Sequence, residues 1–179
     1  MKRWLAGFLA LVFVLGCIPA VSAEETFESF FTGLGAAATA ENDASYPYGD
    51  YLEEGALVSC NGGYNSSFAA VTLRFSLDAT LEFDYQISSE ANYDYMSVVL
   101  NGTDLHSSQK RNYSGTMTAY AAYSLEVNAG DTVQIGYRKD GSGESGEDCL
   151  RLKNFRATPS YRVTFTGCPE AAQITVTNS

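Results

Sequence analysis

The stretch LEFDYQIS, residues 81–88, alternates apolar and polar side chains without interruption. Its apolar members are Leu81, Phe83, Tyr85 and Ile87. Successive side chains of a β-strand point to opposite faces of the sheet, so this spacing predicts a strand with one buried face and one solvated face. Such a strand is typical of an antiparallel sheet.

The same two-residue period recurs along the chain, and clusters of Gly, Asn, Asp and Ser separate the segments. The further predicted strands cover residues 68–76, 96–100, 116–127, 132–139 and 149–157. Asn101-Gly102 follows one of them and favours a tight type I′ hairpin, because both turn positions tolerate a positive φ. We therefore predict an all-β antiparallel sandwich, a jelly roll of about eight strands, over residues 24–157.

The two ends of the chain are less regular. Phe27, Phe30, Phe31 and Leu34 have helical spacing, but we interpret residues 24–51 as a strand or an irregular edge. Residues 158–179 are predicted to be a linker and the beginning of a second β module, in preference to a short hairpin packed on the main domain. About twenty residues cannot bury a core of their own.

The first 23 residues have the features of a secretory signal peptide. Lys2 and Arg3 precede an apolar run that ends in Val21-Ser22-Ala23, a small-residue cleavage pattern. The run is too short for a membrane span. We expect a secreted or cell-surface protein with no membrane span after signal removal; the alternative is a lipoprotein anchored through Cys17, in a lipobox-like segment.

Charge and histidine content exclude several functions. The 179 residues include 21 acidic and 11 basic side chains, a net charge of -10, which disfavours contact with nucleic-acid phosphates. A single histidine, His106, rules out two-histidine metal sites, and we predict no Ser-His-Asp catalysis. We predict that the chain is not an enzyme.

Four carboxylates fall in two predicted loops that a sandwich would bring to the same end. They are Glu90, Asp94, Asp140 and Asp148. Oxygen-rich loops suit calcium, which takes about 6–8 oxygen ligands. Calcium is thus the one candidate cofactor, and the alternative is that the same residues brace the loops through salt bridges with Lys139 and Arg138, which stand beside Asp140.

Tyrosines are the candidate ligand-binding residues. Tyr64, Tyr93, Tyr95 and Tyr113 fall in or beside predicted loops. Exposed aromatic rings can stack on sugars or anchor a protein partner, since they combine a large area with few rotamers. Equally, scattered tyrosines cap the edges of sandwiches without a ligand.

Cys60 and Cys149 both lie in the strand-rich region, and export would permit a disulfide between them. The mature chain would retain an odd number of cysteines, so one thiol must stay outside any internal pair. The alternative is that these cysteines are buried thiols.

Several short motifs, in order and at their spacing, resemble the jelly-roll modules of secreted bacterial surface proteins, which are similar to MAM-like and concanavalin-like sandwiches. The similarity covers residues 27–156. The motifs are Ser88-Ser89-Glu90, Tyr93-Asp94-Tyr95, Asn101-Gly102-Thr103, Ser114-Gly115, Ala129-Gly130, Tyr137-Arg138-Lys139-Asp140 and Glu147-Asp148. Tyr120 and Leu150 stand where such modules usually have tryptophan, and residues 165–176 resemble the start of a bacterial Ig-like or PEGA-type repeat.

This resemblance implies an extracellular, non-catalytic binding or adhesion module. A carbohydrate-binding module would have an extracellular glycan as its partner. The alternative is a structural or protein-binding spacer domain of a larger adhesin or secreted hydrolase, with a surface protein as its partner.

Overall fold

A computed structural model describes residues 26–48, 52–53, 55–168 and 171–178. The predicted signal peptide, including Cys17, lies outside this part of the chain. The described residues form two short 3₁₀ helices, Phe27–Leu34 and Lys110–Tyr113, and twelve strands. The strands are β1 (Ala38–Glu41), β2 (Leu52–Glu53), β3 (Ala56–Val58), β4 (Phe68–Phe75), β5 (Ala79–Ser88), β6 (Tyr95–Leu100), β7 (Thr103–Asp104), β8 (Ala121–Val127), β9 (Thr132–Arg138), β10 (Cys149–Pro159), β11 (Tyr161–Cys168) and β12 (Ala171–Asn178).

Two five-stranded antiparallel sheets form the sandwich. The first sheet has the strand order β1-β4-β9-β6-β7, and the second sheet has the order β2-β3-β10-β5-β8. The chain changes sheet at each step from β3 to β6 and again from β8 to β10, which is the connectivity of a jelly roll. The prediction of an all-β sandwich is confirmed.

The alternation of residues 81–88 determines which face of β5 enters the core. Leu81, Phe83 and Ile87 are buried, whereas the polar residues between them remain partly exposed on the outside of the second sheet. From the first sheet, Val71 and Ile135 contribute to the same hydrophobic core. Burying both apolar faces against each other supplies the main stabilisation of such a sandwich.

The hairpin between β6 and β7 has the predicted turn. Asn101 and Gly102 have φ angles of 49° and 84°, and Leu100 pairs with Thr103 across the two-residue loop. Positive φ at both positions is the requirement of a type I′ turn. The sequence prediction of a chain reversal here is confirmed.

The N-terminal segment agrees with its prediction in part. Residues 27–34 form a 3₁₀ helix rather than a strand, a conformation that the spacing of their apolar residues also fits, whereas Ala38–Glu41 forms β1, an edge strand of the first sheet. Phe31 packs against Phe155 of β10 with ring centroids 4.7 Å apart. At Gly33 a Cβ atom would lie 2.1 Å from the Phe155 carbonyl oxygen, so only glycine permits this close contact.

The C-terminal part begins later than residue 158. Thr158 and Pro159 still pair with Thr80 and Ala79, and Pro159 is the last residue of β10, where a missing N–H is tolerated. Strands β11 and β12 then pair with each other in a two-stranded sheet.

Candidate functional site

Three loops meet at one end of the sandwich, which we call the loop end. They follow β3, β5 and β9. The Gly63 N–H donates to Asp148 Oδ2 at 2.7 Å, and the Asp140 N–H donates to Asp94 Oδ1 at 2.8 Å. These bonds tie residues that are far apart in sequence into one surface.

A buried charged cluster of Asp94, Lys139 and Asp148 lies beneath the loop end. The Lys139 side chain is fully buried, and its Nζ donates to both carboxylate oxygens of Asp148. Asp94 Oδ2 lies 3.6 Å from the same Nζ. The Tyr137 hydroxyl donates to Asp148 Oδ1 at 2.8 Å. The ammonium group therefore lies between two carboxylates.

The two carboxylates have opposite pKa shifts. Burial works to raise the pKa of Asp148, but hydrogen bonds from Lys139, the Gly63 N–H and the Tyr137 hydroxyl outweigh it and lower that pKa. For Asp94, burial is the largest effect and raises the pKa, although the Asp140 N–H and Lys139 oppose it. Donated hydrogen bonds favour a charged carboxylate, whereas desolvation favours the neutral acid.

The structure places the four predicted calcium ligands in different surroundings. Asp94 and Asp148 contact Lys139, and Asp140 Oδ1 accepts a bond of 2.9 Å from the Ser142 N–H. The Glu90 carboxylate lies beside Gly143, in the loop after β9. Among the described residues, no group of three or more acidic, histidine or cysteine side chains is placed to hold a metal ion. Calcium binding stays a prediction, and the observed contacts of Asp94 and Asp148 are those of the loop-bracing alternative.

The four candidate ligand-binding tyrosines separate into two pairs. Tyr64 and Tyr93 are exposed, at 59% and 53% of their surfaces. Tyr95 is buried, so the expectation of an exposed ring is wrong for this residue; it lies in β6 and its hydroxyl donates to Asp104 Oδ2 at 2.9 Å. Tyr113 packs against the core and stacks on His106. Ligand binding by Tyr64 and Tyr93 stays a prediction.

Cys60 follows β3, and Cys149 is the first residue of β10, which pairs with β3. Val58 pairs with Arg151, and the Ser59 N–H donates to the Leu150 carbonyl at 2.9 Å. Continued two residues beyond the end of β3, this antiparallel register would set Cys60 opposite Cys149. Both are thiols in this structure, which shows no disulfide between them, and the predicted disulfide stays a prediction.

The outer surface of the second sheet carries a series of clefts, which we call the polar face. It consists of the outward residues of β5 and β10 and of the chain preceding β8. The polar residues of 81–88 were predicted to form a solvated face, and no cleft was predicted there. The available signal was the dense run of polar side chains, but their partners come from strands distant in sequence.

The first cleft has a volume of about 250 Å³ and is lined almost entirely by polar side chains. Arg151 pairs with Glu147 at 2.7 Å, and Gln86 Nε2 donates to the Met117 carbonyl at 3.3 Å. Tyr120 forms an aromatic wall of this cleft. The Lys153 Nζ lies 3.6 Å from the centre of the Tyr120 ring, so a cation also covers one face of that ring.

A second cleft lies along β5 and β10, and a third borders β10 and the N-terminal helix. The second, of about 250 Å³, is lined by Glu82, Asp84, Asn154 and Arg156 among others. Arg156 contacts Glu82 at 2.6 Å, and Asn154 donates to Asp84 at 2.7 Å. The third is a shallower cleft of about 490 Å³ between the N-terminal helix and residues 154–156 of β10.

His106 is committed to a structural role. It is buried, its Nδ1 lies 2.8 Å from the Met96 carbonyl oxygen, and its Nε2 lies 3.1 Å from the Tyr123 hydroxyl. A serine protease triad needs a histidine between a carboxylate and a serine. The chain's single histidine has neither as a ring partner.

Within the described residues, no helix has both the length and the apolar character that a membrane span requires.

Comparison with known proteins shows similarity to solved structures only. No family model matches the chain, and no curated protein matches it. The chain is similar to the secreted serine protease VesC from Vibrio cholerae, with 16% identity and a TM-score of 0.57. The match covers 73% of this chain and 26% of VesC, so this chain spans about a quarter of the length of that protein. At this identity the likeness shows the fold alone.

Proposed function

We propose that this chain is an exported, non-catalytic module that binds an extracellular glycan along the polar face. The observation that carries the proposal is the presence of two clefts on β5 and β10, one lined by polar side chains and Tyr120 and the other lined mainly by charged and amide side chains. Export would follow from the signal peptide over residues 1–23.

The chemistry of the polar face suits sugar hydroxyls. Arg151, Glu147 and Gln86 each offer two coplanar donors or acceptors, and the partners they now have are side chains or backbone at a solvated surface. Glu147, whose side chain is 65% exposed, can exchange its partner for sugar hydroxyls at low cost, because exposed charges gain little net stability from an ion pair, whereas Arg151 is largely buried at 15%. An aromatic ring such as Tyr120 adds apolar contact for the carbon face of a sugar.

A non-catalytic role is supported by the surroundings of His106, whose ring nitrogens face a backbone carbonyl and a tyrosine hydroxyl. We infer that this chain serves as an accessory β-sandwich, the binding or spacer module expected from the sequence.

The test compares two exposed Arg–Glu pairs on opposite sides of the sandwich. Arg156 pairs with Glu82 on the polar face, and Arg74 pairs with Glu41 at 3.0 Å on the first sheet. Arg156→Ala and Arg74→Ala remove the same surface group and should cost little stability in both cases. Retention on insoluble polysaccharides and on a glycan array is measured for the native chain and both variants.

The proposal is supported if the native chain binds a glycan and Arg156→Ala weakens that binding, by about tenfold for a loss of 1.4 kcal/mol. Arg74→Ala should leave the binding unchanged. Equal losses in both variants would place the ligand elsewhere. No retention on any polysaccharide would refute glycan binding.

A second candidate function is that of a protein-binding spacer, which the exposed rings of Tyr64 and Tyr93 favour. Exposed aromatic side chains are typical anchors of protein interfaces. In pull-downs with cell-wall and host surface proteins, Tyr64→Ala and Tyr93→Ala should then abolish capture, while Tyr161→Ala, which removes another exposed tyrosine, should not.

We also propose that export joins Cys60 to Cys149. Opposed positions of neighbouring antiparallel strands fall within the Cα separation that a disulfide spans. In the loop-entropy model the bond would stabilise the folded chain by about 4–5 kcal/mol. Incubation with oxidised glutathione should make one pair of thiols unreactive in denaturant and raise the Tm, and Cys60→Ser should show neither change.

A further inference from the structure

Lys139 is an unusual residue for the inside of a sandwich. Its side chain has 0% exposed surface, and the carboxylates of Asp94 and Asp148 accompany it there at 1% and 11%. Lysine is almost never fully buried unless it is paired, and desolvating an ion pair can cost more than the attraction returns. The cluster therefore needs a chemical reason for its burial.

The carboxyl group of Asp148 is held and polarised from several sides. Lys139 Nζ contacts both of its oxygens, the Tyr137 hydroxyl donates to Oδ1 at 2.8 Å, and the Gly63 N–H donates to Oδ2 at 2.7 Å. Asp148 also has a φ of 54°, in the left-handed region that non-glycine residues rarely adopt. A nitrogen nucleophile thus faces a carboxyl group whose oxygens have fixed donors, the arrangement that stabilises an oxyanion.

Asp94 supplies a proton acceptor beside the amine. Its Oδ1 accepts the Asp140 N–H, whereas its buried Oδ2 has no hydrogen-bond partner among the described residues. This oxygen lies 3.6 Å from Lys139 Nζ. A free oxygen at this distance can take a proton from the ammonium group and later return it.

We propose that Lys139 and Asp148 become joined by an intramolecular isopeptide bond, and that Asp94 carries the proton during the reaction. Asp94 takes one proton from the ammonium group, and the Nζ lone pair attacks Asp148 Cγ. A Cγ–O bond then breaks, and the oxygen leaves as water with the proton held by Asp94 and a second proton from the nitrogen. One ammonium and one carboxylate give one amide and one water, so the step needs no oxidant or reductant.

The bond removes the main cost of the cluster. Before the reaction, three charged groups are out of water; afterwards Lys139 and Asp148 are a neutral amide, and its one remaining oxygen retains the donor that faced it, either the Tyr137 hydroxyl on Oδ1 or the Gly63 N–H on Oδ2. The bond also closes residues 139–148 into a ring, which fixes both ends of a loop rich in glycine and acidic residues. If a protease cuts within this ring, the isopeptide bond still holds the two ends of the loop together.

Mass spectrometry of the full chain tests the proposal directly. The protein is denatured, its cysteines are reduced and alkylated, and it is digested with a glutamate-specific protease. Cleavage after Glu126, Glu144, Glu147 and Glu170 separates Lys139, in segment 127–144, from Asp148, in segment 148–170. We expect one branched species of the two segments, lighter by one water than their sum. Separate segments at full mass would overturn the proposal and leave an ion pair only.

Three variants assign the roles. Asp148→Ala, which removes the attacked carbon Cγ, and Lys139→Arg should give separate segments. Asp94→Asn should give separate segments or strongly slowed joining in a chain that still folds by circular dichroism. Asp140→Asn is the matched control, because Asp140 contacts Asp94 through its backbone N–H, and it should retain the bond. Undiminished joining in Asp94→Asn would overturn the proton-carrier role, and water loss without a branched species would overturn the bond itself.

Discussion

His106 should make the stability of this protein depend on pH between the pKa values of its unfolded and folded states. Its ring stacks on Tyr113 with centroids 3.5 Å apart and an angle of 7° between the planes. Burial lowers the pKa of His106, while the Met96 carbonyl and the Asp104 carboxylate partly oppose that shift. The rings of Tyr113 and Tyr123 also face it.

The sign follows from proton linkage. Because the folded pKa of His106 lies below its unfolded value of about 6.5, the unfolded state binds more protons in this window. The stabilisation is fully present above the unfolded pKa and is lost as the pH falls through the folded pKa. One extra proton bound by the unfolded chain lowers the free energy of unfolding by at most about 1.4 kcal/mol for each pH unit.

Urea unfolding at several pH values between about 7.5 and 5.5 measures this slope. In His106→Gln the overall stability should fall, because the stacking on Tyr113 changes, but the part of the slope that belongs to the imidazole should disappear. Carboxylates of ordinary pKa titrate mainly below this window and contribute equally to both proteins. Parallel pH profiles for the native chain and the variant would refute the reasoning.

Three further predictions concern stability. Tyr95→Phe should lower the free energy of unfolding by about 1.5–3 kcal/mol, because the Tyr95 hydroxyl donates to a carboxylate. Tyr48→Phe should lower it by about 0.5–1.5 kcal/mol, because the Tyr48 hydroxyl donates to a neutral carbonyl at 3.2 Å. Urea unfolding compares the two variants, and the reverse order would contradict the assignment. Phe155→Ala should lower the free energy of unfolding by about 3–5 kcal/mol, because the ring is buried against two other phenylalanines. A decrease below 1 kcal/mol in the same assay, about the effect of a surface substitution, would contradict its place in the core. Millimolar calcium should leave the Tm unchanged, because a buried ammonium or its amide already lies between Asp94 and Asp148; a calcium-dependent rise would instead support the calcium site.

The strands could be predicted from sequence wherever one face is buried and the other is wet. Residues 81–88 show this directly, and the turn at Asn101-Gly102 follows from local φ preferences alone. Within residues 24–51, β1 is an edge strand as expected, but residues 27–34 were assigned wrongly because a short run of apolar residues fits more than one period. Their helix is selected by contact with Phe155, which lies more than one hundred residues further along the chain.

The loop end could be predicted only in part. The predicted sandwich was expected to bring the two acidic loops to the same end, and Asp94 and Asp148 do share one neighbour. The sequence does not show that this neighbour is the fully buried ammonium of Lys139. Its burial depends on the path of the chain from β9 into the loop that follows, and no local pattern predicts that path. The polar face has the same limit, since Arg156 reaches Glu82 only because β10 has an irregular register between Lys153 and Arg156.

The start of β10 connects the two proposals. Glu147 pairs with Arg151 in the first cleft, Asp148 contacts the buried lysine, and Leu150 lies in the core. An isopeptide bond at Asp148 would fix the backbone on which Glu147 stands, so the acidic wall of the cleft would be ordered before any ligand arrives. Binding then pays less conformational entropy, because a preorganised site has fewer side chains and loops to immobilise. A fixed β10 start would therefore serve a binding module in two ways, by resisting unfolding at the loop end and by holding the cleft in its binding conformation.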